Sequence, residues 1–493
     1  MRSSPWISLS LLLSACAGST ATVVAPPGPH PAKPALKVSA SIVSVVANRR
    51  GPDWSAPWSM QRPWTSWMTG LVLEGHRILV TGAALGDLSL AEVLKQGQPQ
   101  RWPATVELID YEIPLAVLKV EDPKFWEGLV PLPIASEVPR DGNVTIHRWL
   151  GSGQLEDARG KVRQVTVQDH WPGRCQVLSL DVSSSIDNAG ASEVLISHGQ
   201  VIGLSTSKSE GRLNAIAAPV LKDFLDDVDH PPYRGLSRGG FTWEGTTNPA
   251  LRRYLGLQEN EGGMRITRIL PHGSMAAAGQ PGDVILEVEG HPVDTVGQFE
   301  HDKYGRLPAS VLYTEHKHPG DPLKLKLLRQ GQRIEVQLKL VRMTPEQERV
   351  IPYSFDKRPE YFVKGGLLFQ HLSRPYLGLW KEWWRRGPLR LLIEHDLEGE
   401  NPTPEHPRRV ILSRVLADAV NLGYHDVGAT MVDKVNGVAV RNLDDVRAAF
   451  QKPVGEYHIV ELISGGGIRR LVLDAAEVEA AEPRIRRNYG ITD

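Results

Sequence analysis

The sequence predicts a mainly β chain. Short apolar or alternating runs recur along its first half, at residues 41–46, 70–73, 77–80, 104–109, 115–120, 144–146 and 176–180. Turn-forming residues separate them, and many short strands with turn signals between them are the mark of a barrel or sandwich. Residues 194–196 and 201–204 flank Ser197-His198-Gly199-Gln200 and read as a hairpin. At 493 residues the chain suggests about three domains, on a prior of ~150 residues each, every one long enough to bury a core. The formal charge is −1, which argues against a nucleic-acid footprint. No cofactor or metal is called for.

The first residues suggest a destination. Arg2 gives a positive start, an apolar run follows from Ile7 to Leu13, and then come Leu13-Ser14-Ala15-Cys16. The run is too short to span a bilayer, which takes roughly 20 apolar residues, and has the layout of a secretory signal. Its ending resembles the lipobox of bacterial lipoproteins, which implies lipidation at Cys16, a signal peptide over 1–16 and a place in the cell envelope on the periplasmic or outer-membrane face. Residues 17–37, rich in Ala, Pro, Thr and Gly, bury too little apolar surface to fold and read as a flexible tether. Cys175 then has no intramolecular partner and reads as a small packed residue.

Residues 38–205 resemble the protease half of the HtrA/Deg serine proteases. Where that family writes I-L-T-N-A-H-V-V, this chain has Ile78-Leu79-Val80-Thr81-Gly82-Ala83-Ala84-Leu85, so the base histidine falls on Ala83. Where the family writes D-L-A-V-L-K, it has Pro114-Leu115-Ala116-Val117-Leu118-Lys119, and the orienting aspartate falls on Pro114. The nucleophile segment spans residues 181–194, and its register stays open. Counting from Asp181 gives Ala189, from Ile186 gives Ala191, from Gly199 gives Gly190, and a further gap gives Ser192. A serine hydroxyl needs an imidazole to take its proton and a carboxylate to hold the imidazole. Alanine and proline supply neither. Removing such a unit costs on the order of a millionfold in turnover. A relocated base would have to come from His76, His147, His170 or His198, and a relocated carboxylate from Glu112. The plainer reading makes these ordinary surface or core residues.

The resemblance implies a trypsin-like double β-barrel over 38–230, followed by two PDZ-like α+β domains at 231–345 and 346–493. The match is nearest to the plant-type Deg proteins, through residues 52–58 and 125–128. Trp54, Trp58, Trp64 and Trp67 are expected to pack the barrel opening or a subunit contact, since tryptophan is first a large apolar payload. A boundary is expected in the charged, proline-ended stretch 226–232.

In the first PDZ-like domain, Gly263 to Leu270, the small-residue stretch Gly273 to Gly279 and Gly282-Asp283-Val284-Ile285-Leu286 follow one another as in the family. Such a domain adds a peptide as a strand and holds its terminal carboxylate on backbone N–H groups. The loop that would do this is Arg238-Gly239-Gly240-Phe241, where glycines let the N–H groups converge on an anion. Tyr254-Leu255-Gly256-Leu257 is a rival, read instead as a helix end with a glycine cap. In the second domain, Gly365-Gly366-Leu367-Leu368-Phe369 is the loop-like string. Asn436-Gly437 signals a tight turn, and Asn442 can cap a helix over 443–450. The family implies assembly or covering of the first PDZ for this domain, so a homo-oligomer is one expected partner. The basic run from Lys381 to Arg390, with Trp383 and Trp384, has the charge for contact with anionic lipid, but the preferred reading is a solvated charged face with buried indoles.

These readings give an expected function. The chain is a membrane-tethered pseudoprotease that binds peptides or protein C-termini through its PDZ domains. The alternative is an active serine endopeptidase in protein quality control with an unconventional site.

Overall fold

The computed structural model describes residues 38–150, 153–186, 192–209, 211–463 and 467–492. Within it, Val38–Asp493 forms one compact unit. The lipidation and tether readings fall on residues outside the described ones, as do Ala189, Gly190 and Ala191.

Twelve strands make two closed six-stranded barrels. The first holds β1 (Ile42–Arg49), β2 (Trp64–Leu73), β3 (Arg77–Thr81), β4 (Leu88–Leu94), β5 (Trp102–Asp110) and β6 (Leu115–Lys119). The second holds β7 (Gly142–Trp149), β8 (Leu155–Gln168), β9 (Val177–Ser184), β10 (Val194–Ser197), β11 (Gln200–Ser209) and β12 (Arg212–Ala217). All pairings within them are antiparallel.

Successive side chains of a strand point to opposite faces, and here both faces are used. Val43 and Val45 fill the first barrel, as do Val72, Ile78, Val80, Ala116 and Leu118. The residues between them, Ile42, Leu71, Leu79, Leu115 and Val117, face the second barrel. From the other side, Val177, Val194, Ile196, Val201 and Leu204 meet them. Leu178, Leu180, Leu195 and Ile202 turn into the second barrel's own interior. Strands at this seam therefore read as continuous apolar runs. Cys175, 2% exposed, packs in the same seam as a free thiol whose pKa is pushed well up by burial.

A helix Ala218–Asp229 follows the second barrel, burying Leu221 and Phe224 in the seam. It ends within the stretch expected as a boundary. Beyond it, β13 (Phe241–Gly245), β14 (Met264–Ile269) and β15 (Val284–Val288) continue into Pro322–Arg329 and Gln332–Lys339 as one sheet with β13 at its edge. The helix Pro249–Leu255 is capped by Asn248, and it ends on left-handed Gly256, the glycine end read from sequence. A last sheet runs Tyr361–Lys364, Leu367–His371, Val410–Val415, Thr430–Val435, Tyr457–Ile463 and Arg470–Asp474. Asn436 and Gly437 both have positive φ in the turn after Thr430–Val435. Asn442 accepts from Asp445 N (2.9 Å) to cap Leu443–Ala449.

Two tryptophan expectations need correction. Trp54 packs against the cluster of Val350, Leu372 and Tyr376, and Trp58 donates from Nε1 to Tyr489 O (3.0 Å). Both hold the last domain to the first barrel rather than filling a barrel opening. Trp64 and Trp67 instead lie under Arg49 and Arg101. The reading of buried indoles in the basic run also fails in part. Trp383 is half-buried against His395, but Trp384 is 63% exposed.

Candidate functional site

The strand–turn geometry of the first barrel brings together the positions aligned with the catalytic residues. Ala83 sits in the 3-10 turn Gly82–Leu85 that directly follows β3, and Pro114 directly precedes β6, the neighbour of β3. Gly82 N donates to Pro114 O at 2.6 Å. Thr81 N donates to Ser192 Oγ at 3.0 Å, across the barrel seam. Ser192 N donates to Ser205 O (3.1 Å) and Glu193 N to Ser205 Oγ (2.9 Å). The three segments therefore meet, with Ala83 and Pro114 in two of them.

Ser192 is the serine of that constellation within the described residues, and its surroundings are structural. It is fully buried, its φ is +69°, and its hydroxyl accepts a backbone N–H. A positive φ is a glycine-like conformation. That suits the register counted from Gly199, which aligns Ser192 with the second glycine after the nucleophile. Glu193, 1% exposed, accepts from the Ser205 hydroxyl, while its Oε1 has no partner among the described residues.

Each relocated base named from sequence is engaged elsewhere. His147 Nδ1 lies 2.6 Å from Asp157, His198 Nδ1 lies 3.1 Å from Ser197, and His76 stacks on Trp126. His170 is buried between Ser179 Oγ (2.8 Å) and Thr206 Oγ1 (2.6 Å), and burial pushes its pKa down to about 4. Ser179 also donates to Val177 O (2.8 Å). Glu112, 3% exposed, accepts from Tyr353 Oη (2.7 Å) and Arg174 N (3.2 Å).

Tyr353 belongs to a strap that the sequence did not announce. Phe355 lies 4.6 Å from Tyr111 and 6.1 Å from Trp171, ring centre to ring centre. A Cβ on Gly86 would stand 2.3 Å from the Phe355 ring. Tyr111 Oη donates to Asp356 (2.8 Å), and Asp356 N donates to Asp87 Oδ1 (2.9 Å). The stretch 353–356 thus bridges the loop after Ala83, the loop before Pro114 and the second barrel.

The glycine loop lies in the sheet domain. Gly240 has φ +72°, and a Cβ there would stand 2.2 Å from Gly273 Cα, so backbone packs on backbone. The loop's carbonyls turn toward residues 270–275. Arg238 O accepts from Ser274 Oγ (2.7 Å), Gly239 O from Met275 N (3.0 Å) and Gly240 O from Leu270 N (2.8 Å). The N–H groups of Gly239 and Gly240 have no partner among the described residues. They border a cleft of about 350 Å³ lined by Phe241, Trp243, Leu270, Ser310 and Tyr313. The Ser310 and Tyr313 hydroxyls are buried without partners among the described residues. Phe241 begins edge strand β13, and Trp243 is exposed on it. A free strand edge, free N–H groups and orphan hydroxyls together suit an extended peptide.

Arg238 is not idle. It bonds Glu348 (3.2 Å) and Glu400 (2.8 Å), and Arg174 contacts the same two carboxylates. Burial alone would raise the Glu400 pKa, but Arg238 and Arg174 hold it below the usual carboxylate range. Glu400 also lines the cleft. This pairing was not legible, because Glu348 and Glu400 carry no motif.

Two closed barrels in the trypsin-like arrangement, followed by domains with an edge strand and a glycine loop, define the class of a protease-fold chain joined to peptide-binding-type domains. A PDZ domain model matches residues 350–493. "Putative protease Do-like 3, mitochondrial" of Arabidopsis thaliana is 26% identical over 82% of this chain and 70% of its own length. "Protease Do-like 2, chloroplastic" of the same plant is 26% identical over 92% of this chain and 74% of its own. A solved chain described as "HtrA-type protease AlgWS227A with decapeptide" shares the fold, with a TM-score of 0.50, 17% identity, and coverage of 62% of this chain and 96% of that one. The chain is similar to these Do-like proteases over most of its length and carries a PDZ domain at residues 350–493.

Proposed function

We propose that this chain is a pseudoprotease of the HtrA/Deg family that binds peptides or protein C-termini through its first PDZ-like domain and is tethered to a membrane by a lipid on Cys16. The observation that carries the reading is the meeting of Ala83, Pro114 and a buried Ser192. Those residues offer no base, no orienting carboxylate and no exposed nucleophile. The free N–H groups of Gly239 and Gly240 at the end of an open strand edge support the binding half of the proposal. The domain limits proposed are 38–230, 231–345 and 346–493. The tether over residues 17–37 and the envelope location rest on the sequence pattern of residues 1–16 alone.

The test is direct. Incubated with an unfolded protein and a serine-directed fluorophosphonate, the chain is expected neither to cleave nor to be labelled. Cleavage that disappears in Ser192→Ala would overturn the proposal in favour of a serine endopeptidase.

A further inference from the structure

The run from Lys381 to Arg390 holds four cations, Lys381, Arg385, Arg386 and Arg390, against one carboxylate, Glu382. The chain as a whole has a charge of −1, so this is a local concentration. Arg386 pairs with Glu382 at 3.5 Å, both ends exposed. Lys381, Arg385 and Arg390 have no carboxylate partner among the described residues.

An apolar stripe lies beside these cations. The helix Leu389–Glu398 buries Leu391, and its Glu394 is taken up by Arg349 and Arg409. Residues four apart share a helix face, and the outward set here is Leu389 (71% exposed), Ile393 (47%) and Leu397 (55%). The helix Trp383–Arg386 packs beside it through the Trp383–His395 contact (ring centres 5.0 Å apart), with Arg374 over the Trp383 ring. Its neighbour Trp384 stands 63% exposed, and Leu379 is 43% exposed. The remaining exposed acid on the longer helix is Asp396.

We infer that this face docks on an anionic lipid surface. The combination of a Trp, an aliphatic stripe and flanking Lys and Arg is what an interfacial helix uses to sit at the headgroup level. Each cation near an anionic surface contributes about fivefold in partitioning. Charge decides between this occupant and a second copy of the chain. A twofold contact would place the same patch opposite itself, bringing Arg385, Arg386 and Arg390 toward their own copies. Like charges so juxtaposed are repelled, whereas phosphatidylglycerol headgroups match them. The inference does not depend on the lipid at Cys16.

The compact unit Val38–Asp493, which lacks Cys16 and the apolar run before it, serves for the test. It is expected to float with phosphatidylcholine vesicles containing phosphatidylglycerol and not with phosphatidylcholine alone, and to dissociate as salt rises. Replacing Arg385, Arg386 and Arg390 by Gln should weaken partitioning on the order of a hundredfold. Ile393→Glu with Leu397→Glu should abolish it, with the thermal midpoint unchanged because both positions are exposed. Trp384→Phe should remove most of a vesicle-induced blue shift in tryptophan emission. The inference is overturned if the folded unit ignores anionic vesicles, or if the variants bind them as the parent does. It is equally overturned if Ile393→Glu instead dissolves a concentration-dependent self-association, which would make the face an interface between copies.

Discussion

On the proposed reading of the glycine loop, Glu400 competes with a ligand's terminal carboxylate. Its Oε1 is 2.8 Å from Arg238 and 2.5 Å from Arg174, at the rim of the cleft bordered by Gly239 and Gly240. The perturbation is Glu400→Gln, which keeps the shape and removes the charge. The side chain is 35% exposed, so the pair falls between two known limits. Exposed pairs contribute up to about 1 kcal/mol, whereas breaking a fully buried pair costs about 3–5 kcal/mol. A net release of about 1.5 kcal/mol is expected, because Glu348 still faces both arginines. That corresponds to about tenfold tighter binding of a peptide ending in a free carboxylate. The assay is fluorescence polarisation with one peptide in free-acid and C-terminally amidated forms. The gain should appear for the acid and not for the amide. Unchanged affinity in Glu400→Gln, or equal gains for acid and amide, would refute the idea that Arg238 and the glycine loop read a carboxylate.

The other expectations follow from single contacts. Gly240→Ala forces a Cβ to 2.2 Å from the Gly273 backbone in a left-handed conformation, so peptide binding should be lost and the domain destabilised by at least about 1–2 kcal/mol. Denaturant titration and the same peptide assay read both effects. Ser192→Ala removes the acceptor of the buried Thr81 N–H and should cost about 1–3 kcal/mol. Ser192→Gly loses the same bond but relieves the positive φ, so it should cost about 1 kcal/mol less than the alanine variant. His170 has its pKa lowered to about 4 by burial against about 6.5 in the unfolded chain. Between those values the unfolded state binds the extra proton, so this contribution is complete above about pH 6.5 and is lost as pH falls toward 4. It amounts to about 3 kcal/mol. His170→Gln should flatten that part of the stability-versus-pH curve, and an unchanged slope would count against the burial argument.

How much was legible depends on what each residue had to satisfy. The runs 77–80 and 115–120 read as strands because both faces are buried, Leu79 and Val117 toward the second barrel, and Ile78 and Leu118 into the first. Their edges were blurred where polar residues complete a strand, as in β9, which runs on to Ser184. β8 went unread because two of its 14 residues are buried and its sequence, LEDARGKVRQVTVQ, has no apolar periodicity until its end. Local chemistry was legible wherever one residue does one job, as with Asn442 capping its helix and Gly256 ending another. Long-range pairing was not. Nothing near Trp58 in sequence points to Tyr489, and nothing near Arg238 points to Glu400. Ala83 and Pro114 were legible by resemblance, but the burial of Ser192 required the fold.

If Ala83 and Pro114 stand at the catalytic positions, as proposed, the same contacts explain how the scaffold tolerates them. A catalytic histidine and aspartate hold each other, so losing one strands a buried polar partner that must be desolvated without compensation. Ala83 and Pro114 present no side-chain donor or acceptor, so they leave no such debt. The backbone around them closes on itself through Gly82 N to Pro114 O and Thr81 N to Ser192 Oγ. The seam is stabilised by Ile42, Leu71, Leu79, Leu115 and Val117, none of which is an aligned catalytic position. Loops that would flank a substrate are instead held by the chain's own residues 353–356, through Tyr353 on Glu112 and Phe355 against Tyr111 and Trp171. On this account, placing His at Ala83 and Asp at Pro114 should not create a protease. Ser192 would stay buried and Phe355 would stay over Gly86. Fluorophosphonate labelling of Ser192 in that double variant would show that the side chains alone had been the obstacle, and that the packing described here is not.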